Sequence, residues 1–556
     1  MLKTVPLHAL LFGVLPVLCA YSSLVAYLLP EELVLPIVVS LVLASILLLL
    51  SYVCLRDWRR AGIVTSVLML MNFSFDAMAV PSNRLLNSYG LPGDDRFYLL
   101  PFMLLIGFIV YLLLKSKSDY KVATSSLNLI SLLLVMGNAG YIAYYEYKVG
   151  AIVSRIYQND DRELASIHLK KAKNSKDSPD IYYFILDAFG RSDTLKEVYN
   201  FDNSSFIDGL KQRGFVVPSG SRSNYQMTCL SLPSSLNMQY LDHMEKTLGR
   251  NCNDSSVLYR ILQRNKVSSL LKGVGYRYVN VRSGWSPTDY MPCADDNVGF
   301  PFGNSFHLAL VRSTLIGPLQ RDFDFLGWAA RRVRLYGLQN IGSISSQFES
   351  QSSSSNSGPK FVFVHVVVPH PPFLFNEDGS SDTLNVISLS DKFEKEKYAA
   401  QVKFLQRQVL AMLDQLDKSP QKKAVIIQGD HGPALQNGSD GNPSPSFLRE
   451  RMRILNAYRL PDAGPGAAYV GTNSATTNLA STIYDGITPV NSFRVVLNRY
   501  FDAKLPLLPD KCIYSPNPLP MQFVDVTKEV TADLTAAPPT ANLPARATSQ
   551  VATGTQ

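Results

Sequence analysis

Residues 423–432 read KAVIIQGDHG, a short apolar run that ends in a glycine, an acid, a histidine and a second glycine. Three further apolar runs have the same character: DIYYFILD (180–187), GYRYVNVRSG (275–284) and KFVFVHVVVPH (360–370). Continuous apolar runs of this length, bounded by polar turns, are typical of strands buried on both faces of a parallel sheet. The four runs therefore predict a mainly parallel sheet.

Helical patterns lie between these runs. In the clearest one, apolar residues recur at spacings of three and four from Tyr398 to Leu416 and make one apolar stripe. Ser390, followed by Asp391, fits the N-cap of this helix, and KSP at 418–420 ends it. Strands that alternate with helices predict an α/β sandwich for this part of the chain.

Polar side chains stand at the ends of three of the predicted strands. Asp187 ends the first of them, Asp430 and His431 follow the last, and His370 follows the run at 360–368. In an open α/β sheet, ligands bind beyond the carboxyl ends of the strands. Carboxylates together with imidazole suit Zn²⁺ or Mn²⁺. Within the strand at 360–370, His365 is interpreted as a core residue.

A nucleophile is predicted in the stretch SRSNYQMTCLSLPSSLNMQYL (221–241), which offers many hydroxyls and one thiol. An extended segment gives way to a helical pattern near Thr228, so the Thr228 hydroxyl is expected at a helix start, where free backbone N–H groups bind oxyanions. A metal at this hydroxyl would activate it. The alternative is that Thr228 only caps the helix, and this would be preferred if the predicted metal ligands were absent.

Together these residues resemble the alkaline phosphatase superfamily in its sulfatase-like branch, over residues 179–500. The pattern is most similar to lipoteichoic acid synthases and phosphoethanolamine transferases, which have five N-terminal spans before an outer catalytic domain. The resemblance implies one divalent ion, Mn²⁺ or Zn²⁺ with Mg²⁺ as a further option, and Thr228 as nucleophile. The implied metal ligands are Asp187, Thr228, Asp430 and His431, and the substrate-binding residues are His370 (in PHPPF) and Asn224.

The chain departs from the lipoteichoic acid synthases at two points. Those enzymes usually have Glu where this chain has Asp187, and their Trp-Asn-Arg-Asp segment, which grips glycerol phosphate, has no clear equivalent here. VRSGWSP (281–287) and SFHL (305–308) lie in the corresponding region. The resemblance therefore implies phosphoryl-type transfer without specifying phosphoglycerol.

Long apolar runs occupy the first 150 residues. A helix that spans a bilayer needs about 20 apolar residues, and five stretches meet this length or come close. We therefore expect an N-terminal α-helical membrane domain over residues 1–147. The five predicted spans are 5–29, 34–55, 61–80, 97–114 and 126–146.

The charges of the connecting loops predict the orientation of these spans. Three arginines lie between spans two and three and three lysines near the loop between spans four and five, whereas Glu31 and Glu32 lie between spans one and two. Because basic loops stay in the cytoplasm, the N-terminus is expected inside and everything after about residue 147 outside. This predicts a multi-pass protein of the bacterial plasma (inner) membrane with its catalytic domain on the periplasmic or extracellular side.

Composition predicts the remaining organisation. Residues 148–178 are charged and helix-compatible and are expected to be a connector. For residues 179–515, the resemblance implies a sulfatase-like catalytic domain. The Ala/Pro/Thr-rich residues 516–556 cannot bury a core and are predicted to be disordered, from about 523 most clearly. The serine-rich segment 345–358 is predicted to be a flexible loop.

Four cysteines lie in the outer part: Cys229, Cys252, Cys293 and Cys512. In an oxidising compartment they allow two bridges with three connectivities. Cys252–Cys293 is the favoured pair, because both residues stand in polar, loop-like sequence. Four buried thiols are an equally open alternative.

Other classes of function fit the sequence less well. Sulfatases carry Cys/Ser-x-Pro-x-Arg, but the proline after Cys229 is displaced to Pro233 and no arginine follows before residue 250, so sulfate-ester hydrolysis is disfavoured. A non-catalytic envelope scaffold would be expected to lack one of the metal ligands. The net charge of +8 comes with no finger motif or basic stripe, so no nucleic acid partner is expected.

With the membrane anchor, the resemblance implies a transferase that acts on a lipid. It would move a phosphate-linked headgroup, of the phosphoglycerol or phosphoethanolamine type, from a membrane phospholipid to a glycan or envelope polymer. Thr228 would carry the group as phospho-threonine. A phosphodiester hydrolase of the same superfamily stays open as an alternative.

Overall fold

The first part of the chain is helical and the second part is an α/β domain. The computed structural model describes residues 5–91, 93–116, 118–170, 178–319, 323–350, 358–381, 391–434, 443–461, 482–517 and 519–532. Short 3₁₀ helices at Pro30–Leu33 and Asp95–Tyr98 precede the second and fourth helices. The first five helices are α1 His8–Ser23, α2 Val34–Leu55, α3 Trp58–Ser88, α4 Leu99–Lys115 and α5 Lys121–Ser166.

Four helical stretches are long and apolar enough to cross a membrane, and they contain four of the five predicted spans. The first predicted span contains α1, which is apolar but has 16 residues. At 1.5 Å per residue it is about 24 Å long, which is short of a hydrocarbon core of about 30 Å. The first predicted span, 5–29, therefore stays a prediction. The four stretches are Pro30–Leu55, Trp58–Ser88, Asp95–Lys115 and Lys121–Ser166.

The first part of the predicted connector, residues 148–166, belongs to the last of these helices. Helix α5 continues without a break from the predicted span as far as Ser166. Polar contacts fix its outer half to the α/β domain. The Tyr145 hydroxyl donates to Asp254 (2.6 Å), and Lys266 Nζ lies 2.6 Å from Glu163. The helix is therefore a stalk that joins the two parts of the chain.

A six-stranded sheet forms the centre of the α/β domain. Its strands are β1 Asp180–Leu186, β2 Arg277–Val281, β3 Asp296–Val298, β4 Lys360–Val366, β5 Lys423–Gln428 and β6 Asn456–Arg459. The order is β3-β2-β4-β1-β5-β6, and every neighbouring pair is parallel except β5 with β6. The four apolar runs form β1, β2, β4 and β5, so the predicted mainly parallel sheet is confirmed.

Both faces of the sheet are covered, which explains why the strands are apolar throughout. Tyr182 and Phe184 of β1 pack on the face that also buries Val402 and Leu405 of the helix Asp391–Leu416. The alternate residues of β1 pack on the other face, where the Tyr183 ring lies 5.0 Å from that of Phe493. The predicted helix over 398–416 is confirmed, whereas its proposed N-cap, Ser390, lies outside the described residues.

The other helices surround this sheet. In chain order they are α6 Ser192–Tyr199, α7 Ser204–Gln212, α8 Thr228–Asn237, α9 Asp242–Leu248, α10 Ser256–Gln263, α11 Lys266–Gly273, α12 Ser286–Asp289, α13 Ser305–Arg312, α14 Phe325–Ser350, α15 Asp391–Leu416, α16 Pro445–Met452, α17 Pro489–Phe501 and α18 Thr527–Thr531.

Two segments predicted to lack regular structure are partly ordered. Residues 345–350 belong to α14, and only 351–357 of the predicted loop lie outside the described residues. In the predicted disordered tail, the strand Val524–Asp525 pairs with Ile513–Tyr514, and α18 follows. Val526 and Val530 are buried against α16, so order extends through residue 532. Residues 533–556 lie outside the described part.

All six cysteines, each of which the structure describes, are free thiols. The favoured Cys252–Cys293 bridge is therefore wrong. Cys252 packs beside the apolar cluster of α8 and α10, and the Cys293 thiol donates to the Gln263 carbonyl (2.5 Å). The four thiols are unpaired, as in the alternative, but of the four only Cys512 is buried.

Candidate active site

The carboxyl ends of three parallel strands lie side by side and bring the predicted site together. The register pairs Ile185 of β1 with His365 of β4 and with Gln428 of β5. Asp187 follows β1, and Asp430 and His431 follow β5 after one glycine. Ligand atoms of these three residues lie within 4.8 Å of one another. Thr228, the first residue of α8, lies against them.

His431 is the centre of this cluster. Its Nε2 lies 3.1 Å from Thr228 Oγ1, 3.4 Å from Asp430 Oδ2 and 3.6 Å from Asp187 Oδ1. Its Nδ1 lies 2.9 Å from the Gly432 carbonyl oxygen, which can only accept a hydrogen bond. Nδ1 therefore carries the proton, and Nε2 presents its lone pair to the cluster.

Burial makes it costly for both carboxylates of this cluster to be ionised. Asp187, Asp430 and His431 are all at most 3% exposed. Within the part of the chain that the structure describes, Asp187 Oδ1 and Asp430 Oδ2 have no hydrogen-bond partner. Burial, with the charge of Asp187, raises the pKa of Asp430 to about 7. Burial opposes ionisation of Asp187 too, but the nearby imidazoles, His370 first, hold its pKa below the ordinary value.

A divalent cation fits this arrangement. Two carboxylate oxygens with no hydrogen-bond partner among the described residues converge with the His431 imidazole, whose Nε2 also lies 3.2 Å from Arg451 Nη2. Buried carboxylates are costly inside a protein unless positive charge lies beside them, and carboxylates with imidazole are common ligands of Zn²⁺ and Mn²⁺. The donor set thus satisfies the chemistry of the predicted metal.

Two glycines let the Asp430–His431 loop lie between neighbouring backbone segments. A Cβ atom on Gly429 would lie 2.5 Å from the Phe189 carbonyl oxygen, and one on Gly432 would lie 2.0 Å from that of Glu450. The Gly432 N–H donates to the Arg451 carbonyl (2.7 Å). Only a residue without a side chain allows this approach, which explains the Gly-Asp-His-Gly sequence.

The turn after β1 is held in a rarely populated backbone conformation. Ala188 has a φ of +64°, in the left-handed region, and its N–H donates to Asp430 Oδ1 (3.1 Å). The Tyr398 hydroxyl donates to the Ala188 carbonyl (2.9 Å) and accepts from the Gly190 N–H (3.2 Å). A residue of the α15 stripe therefore fixes the position of one site loop.

Thr228 differs from the other three residues because it is partly exposed. It is the first helical residue of α8, whereas the N-cap residue is Met227 and no side chain makes a capping hydrogen bond. The alternative in which Thr228 only caps the helix therefore does not describe the structure. Thr228 is therefore the member of the cluster that is not fully buried.

Of the two predicted substrate-binding residues, the structure places one at the site. The His370 ring lies 6.2 Å from the His431 ring, at the partly exposed rim. Asn224 is buried elsewhere: its Nδ2 donates to the Lys511 carbonyl (2.9 Å) and its Oδ1 accepts from the Val490 N–H (2.8 Å). These contacts join backbone segments inside the fold, so Asn224 has a structural role, and its substrate role stays a prediction.

Two residues at the site were missed in the sequence. His365 Nε2 lies 3.4 Å from Asp187 Oδ2, and its Nδ1 lies 2.8 Å from Thr288 Oγ1, so His365 is more than a core residue. Arg451 donates to the carbonyls of Gln226 and Gly432, both at 2.7 Å. It thereby ties the segment before Thr228 to the segment after His431.

We expect Gly432→Ala to destabilise the protein by about 1–3 kcal/mol or more, because the added methyl group must displace backbone. Gly273→Ala, at the end of α11, is the matched control: nothing lies within 4 Å of its Cβ position. Thermal unfolding of both purified variants measures the difference. Equal stability of the two would contradict the described position of the Asp430–His431 loop.

A family model matches most of the α/β domain. Residues 179–454 match the family model named Sulfatase. No curated protein sequence matches the chain.

Among solved structures, the periplasmic domain of EptC from Escherichia coli, in complex with Zn, is 11% identical with a TM-score of 0.33, over 53% of this chain and 76% of that one. The membrane protein lipooligosaccharide phosphoethanolamine transferase A from Neisseria meningitidis is 13% identical with a TM-score of 0.33, over 72% and 80%. The putative sulfatase yidJ from Bacteroides fragilis is 14% identical with a TM-score of 0.34, over 52% and 70%.

The region matched by the family model includes Asp187, Thr228, Asp430 and His431. The chain therefore carries an enzyme domain of the sulfatase-like branch of the alkaline phosphatase superfamily.

Proposed function

We propose that this enzyme transfers a phosphate-linked headgroup from a membrane phospholipid to a glycan or envelope polymer, with Thr228 as the nucleophile. One observation carries the proposal: Thr228 is the partly exposed member of the cluster, and its hydroxyl lies 3.1 Å from Nε2 of the buried His431. The transferred group is of the phosphoethanolamine or phosphoglycerol type. The helices that precede the domain support a donor in the membrane.

The residues that would hold the metal are Asp187, Thr228, Asp430 and His431. We infer one divalent ion, Mn²⁺ or Zn²⁺ with Mg²⁺ as a further option, because these ions accept carboxylate and imidazole ligands. When bound, such an ion makes a hydroxyl a better nucleophile and offsets the charge of a phosphoryl group. Arg451 keeps the two ligand-bearing segments together, and His365 orients Asp187.

The reaction has two displacements at phosphorus. First, Thr228 Oγ1 forms a bond to phosphorus while the bond from phosphorus to the diacylglycerol oxygen breaks. The threonine proton is released, and diacylglycerol leaves with a proton on its oxygen. Second, an acceptor hydroxyl forms a bond to phosphorus, loses its proton, and the bond to Thr228 breaks, which restores the threonine hydroxyl. His370, at the partly exposed rim, is positioned to contact the headgroup.

Sulfate-ester hydrolysis through Cys229 has little support. Burial raises the pKa of the Cys229 thiol to about 12, so the reactive thiolate is scarce at neutral pH. The adjacent Thr228 hydroxyl, not this thiol, lies against His431. A phosphodiester hydrolase differs only in the second displacement, in which water replaces the glycan hydroxyl.

Metal content tests the ligand set. We expect about one divalent ion per chain in the purified wild-type protein, measured by elemental analysis. Asp430→Asn should weaken binding by about tenfold or more, because one charged oxygen ligand is lost. Asp414→Asn is the control, since Asp414 is exposed and pairs with Arg213 far from the cluster. A wild-type protein without metal would refute the proposed site.

Covalent labelling tests the nucleophile. Thr228→Ala should abolish turnover and adduct formation with a phospholipid or a chromogenic phosphodiester, while Thr228→Ser should retain part of both because the hydroxyl remains. Cys229→Ala, which removes the neighbouring thiol, should keep the chemistry. Intact-protein mass spectrometry reports the adduct and the mass of the transferred group. An adduct on Thr228→Ala, or its loss in Cys229→Ala alone, would show that the assignment is wrong.

Membrane topology is the third part of the proposal: five spans, with the N-terminus inside and the catalytic domain outside. A reporter that is active only after export, fused to the C-terminus at Gln556, should therefore be active. The same reporter fused after Ser116, in the loop between α4 and α5, should be inactive, because that loop is basic. The reverse pattern would exclude both this topology and the proposed lipid donor.

A further inference from the structure

The catalytic domain lies directly on the membrane helices through α13. The Phe306 ring meets the Tyr21 ring of α1 edge-on at 6.1 Å, and Leu310 packs in the same cluster with Ile142 of α5. Asn304, just before α13, donates to Glu32 Oε2 in the loop before α2 (3.2 Å). This part of the domain is therefore at the level where the membrane helices end.

The chain then continues across the ends of α3 and α4. Leu315 packs against the cluster that contains Phe75 and Phe102. The 3₁₀ turn Gly317–Leu319 lies against Asp95–Tyr98, which leads into α4. Residues 313–319 thus follow the surface of the membrane part instead of turning back into the catalytic domain.

This region holds most of the exposed large hydrophobic residues in the described part of the α/β domain. Eight large hydrophobic residues are exposed among the described residues from 178 onward, and six of them lie between 300 and 328. Phe323 is 73% exposed and Trp328 is 59% exposed. We name these six residues the lip: Phe300, Phe302, Ile316, Leu319, Phe323 and Trp328.

The lip is continuous with the lipid-facing surface of α4. Phe97 and Leu100 flank Tyr98 and Leu99, which pack against the same cluster as Leu315, and they are 65% and 68% exposed. Soluble surfaces rarely expose apolar patches of this kind unless they bind a partner or a membrane. Because the patch begins where a membrane-spanning helix begins, the bilayer is the partner that the structure favours.

An arginine adds charge complementarity to phospholipid headgroups. The Arg332 guanidinium carbon lies 4.7 Å from the centre of the Phe300 ring and 5.6 Å from that of Trp328. Aromatic rings and basic side chains are the residues that concentrate at the headgroup level of a bilayer.

The same helix leads from the lip to the active site. Six residues after Trp328, α14 carries Arg334, a distance of about 9 Å along the helix axis. Arg334 donates to the carbonyl oxygens of His370 (3.3 Å) and Pro372 (3.2 Å). A headgroup held at the lip would therefore be close to the rim of the Thr228 site.

We propose that the lip lies in the headgroup region of the leaflet that faces the catalytic domain, and that it holds donor phospholipid at the entrance of the site. The evidence for the membrane contact is the exposure of the lip residues and their continuity with α4. The role in donor delivery rests on the proposed function.

Tryptophan fluorescence tests the membrane contact independently of activity. The chain has three tryptophans, Trp58, Trp285 and Trp328, so Trp58→Phe with Trp285→Phe leaves only the lip residue. In vesicles of phosphatidylcholine and phosphatidylglycerol, we expect lipids brominated near the headgroup end of the acyl chain to quench Trp328 about twofold or more. The matched control retains only Trp285, which packs on Tyr259 and His365 and should be unaffected.

A second comparison guards against damage from the paired substitutions. In the wild type, all three tryptophans contribute to the quenching. The single variant Trp328→Phe should therefore lose the contribution of Trp328 and keep that of Trp58 and Trp285. If Trp328 is quenched no more than Trp285, the membrane contact is wrong.

Substrate preference tests donor delivery. The double variant Trp328→Ser with Phe323→Ser should lower the ratio of phospholipid turnover to soluble chromogenic diester turnover about tenfold. This is the effect expected when two aromatic side chains no longer insert into the bilayer. Val524→Ser, which changes an exposed apolar residue outside the lip, should leave the ratio unchanged. An unchanged ratio in the lip variant would overturn donor delivery. A wild type that turns over neither substrate would overturn the proposed function, while the quenching result would still decide the membrane contact.

Discussion

The repulsion between Asp187 and Asp430, two carboxylates buried side by side, is the constraint on which the rest of the site depends. Each follows a strand of a parallel sheet, so their distance is set by the register of β1 with β5 and not by local flexibility. Without a cation, burial first and the charge of Asp187 second disfavour ionisation of Asp430, and they raise its pKa. The fold therefore builds a place that favours a divalent cation before any substrate arrives.

The loops around this pair follow from the need to hold it. Gly429 and Gly432 allow the β5 loop to pass between backbone segments, and the left-handed Ala188 turns its N–H toward Asp430. Tyr398 and Arg451 then fix the loops to α15 and to the segment before Thr228. The strained turn at Ala188 and the close backbone approach at Gly429 and Gly432 are tolerated because the sheet behind them is packed on both faces. The stability of the core thus supports the precision of the site.

Much of this arrangement is predictable from sequence because it depends on simple periodicities. Strands buried on both faces must be apolar throughout, so β1, β2, β4 and β5 were visible as runs, and the rule that ligands bind at strand ends indicated Asp187, Asp430 and His431. His365 was missed because a histidine within an apolar run has the same appearance whether it packs or contacts a carboxylate. Its role depends on the register of β4 with β1. Arg451 was missed because its partners lie on separate segments, Gln226 being 225 positions away in the sequence.

The errors at the ends of elements share one physical cause, which is that partners distant in sequence decide whether a segment is ordered. The tail segment 524–531 is polar by composition, yet Val526 and Val530 find apolar partners on α16. The charged connector continues as helix because Glu146 and Glu163 pair with Arg260 and Lys266 of the catalytic domain. These same pairs make α5 a stalk, and α13 adds a second attachment through Phe306. Two attachments restrict rotation of the domain more than one does, so the partly exposed Thr228 keeps a defined position relative to the ends of the membrane helices.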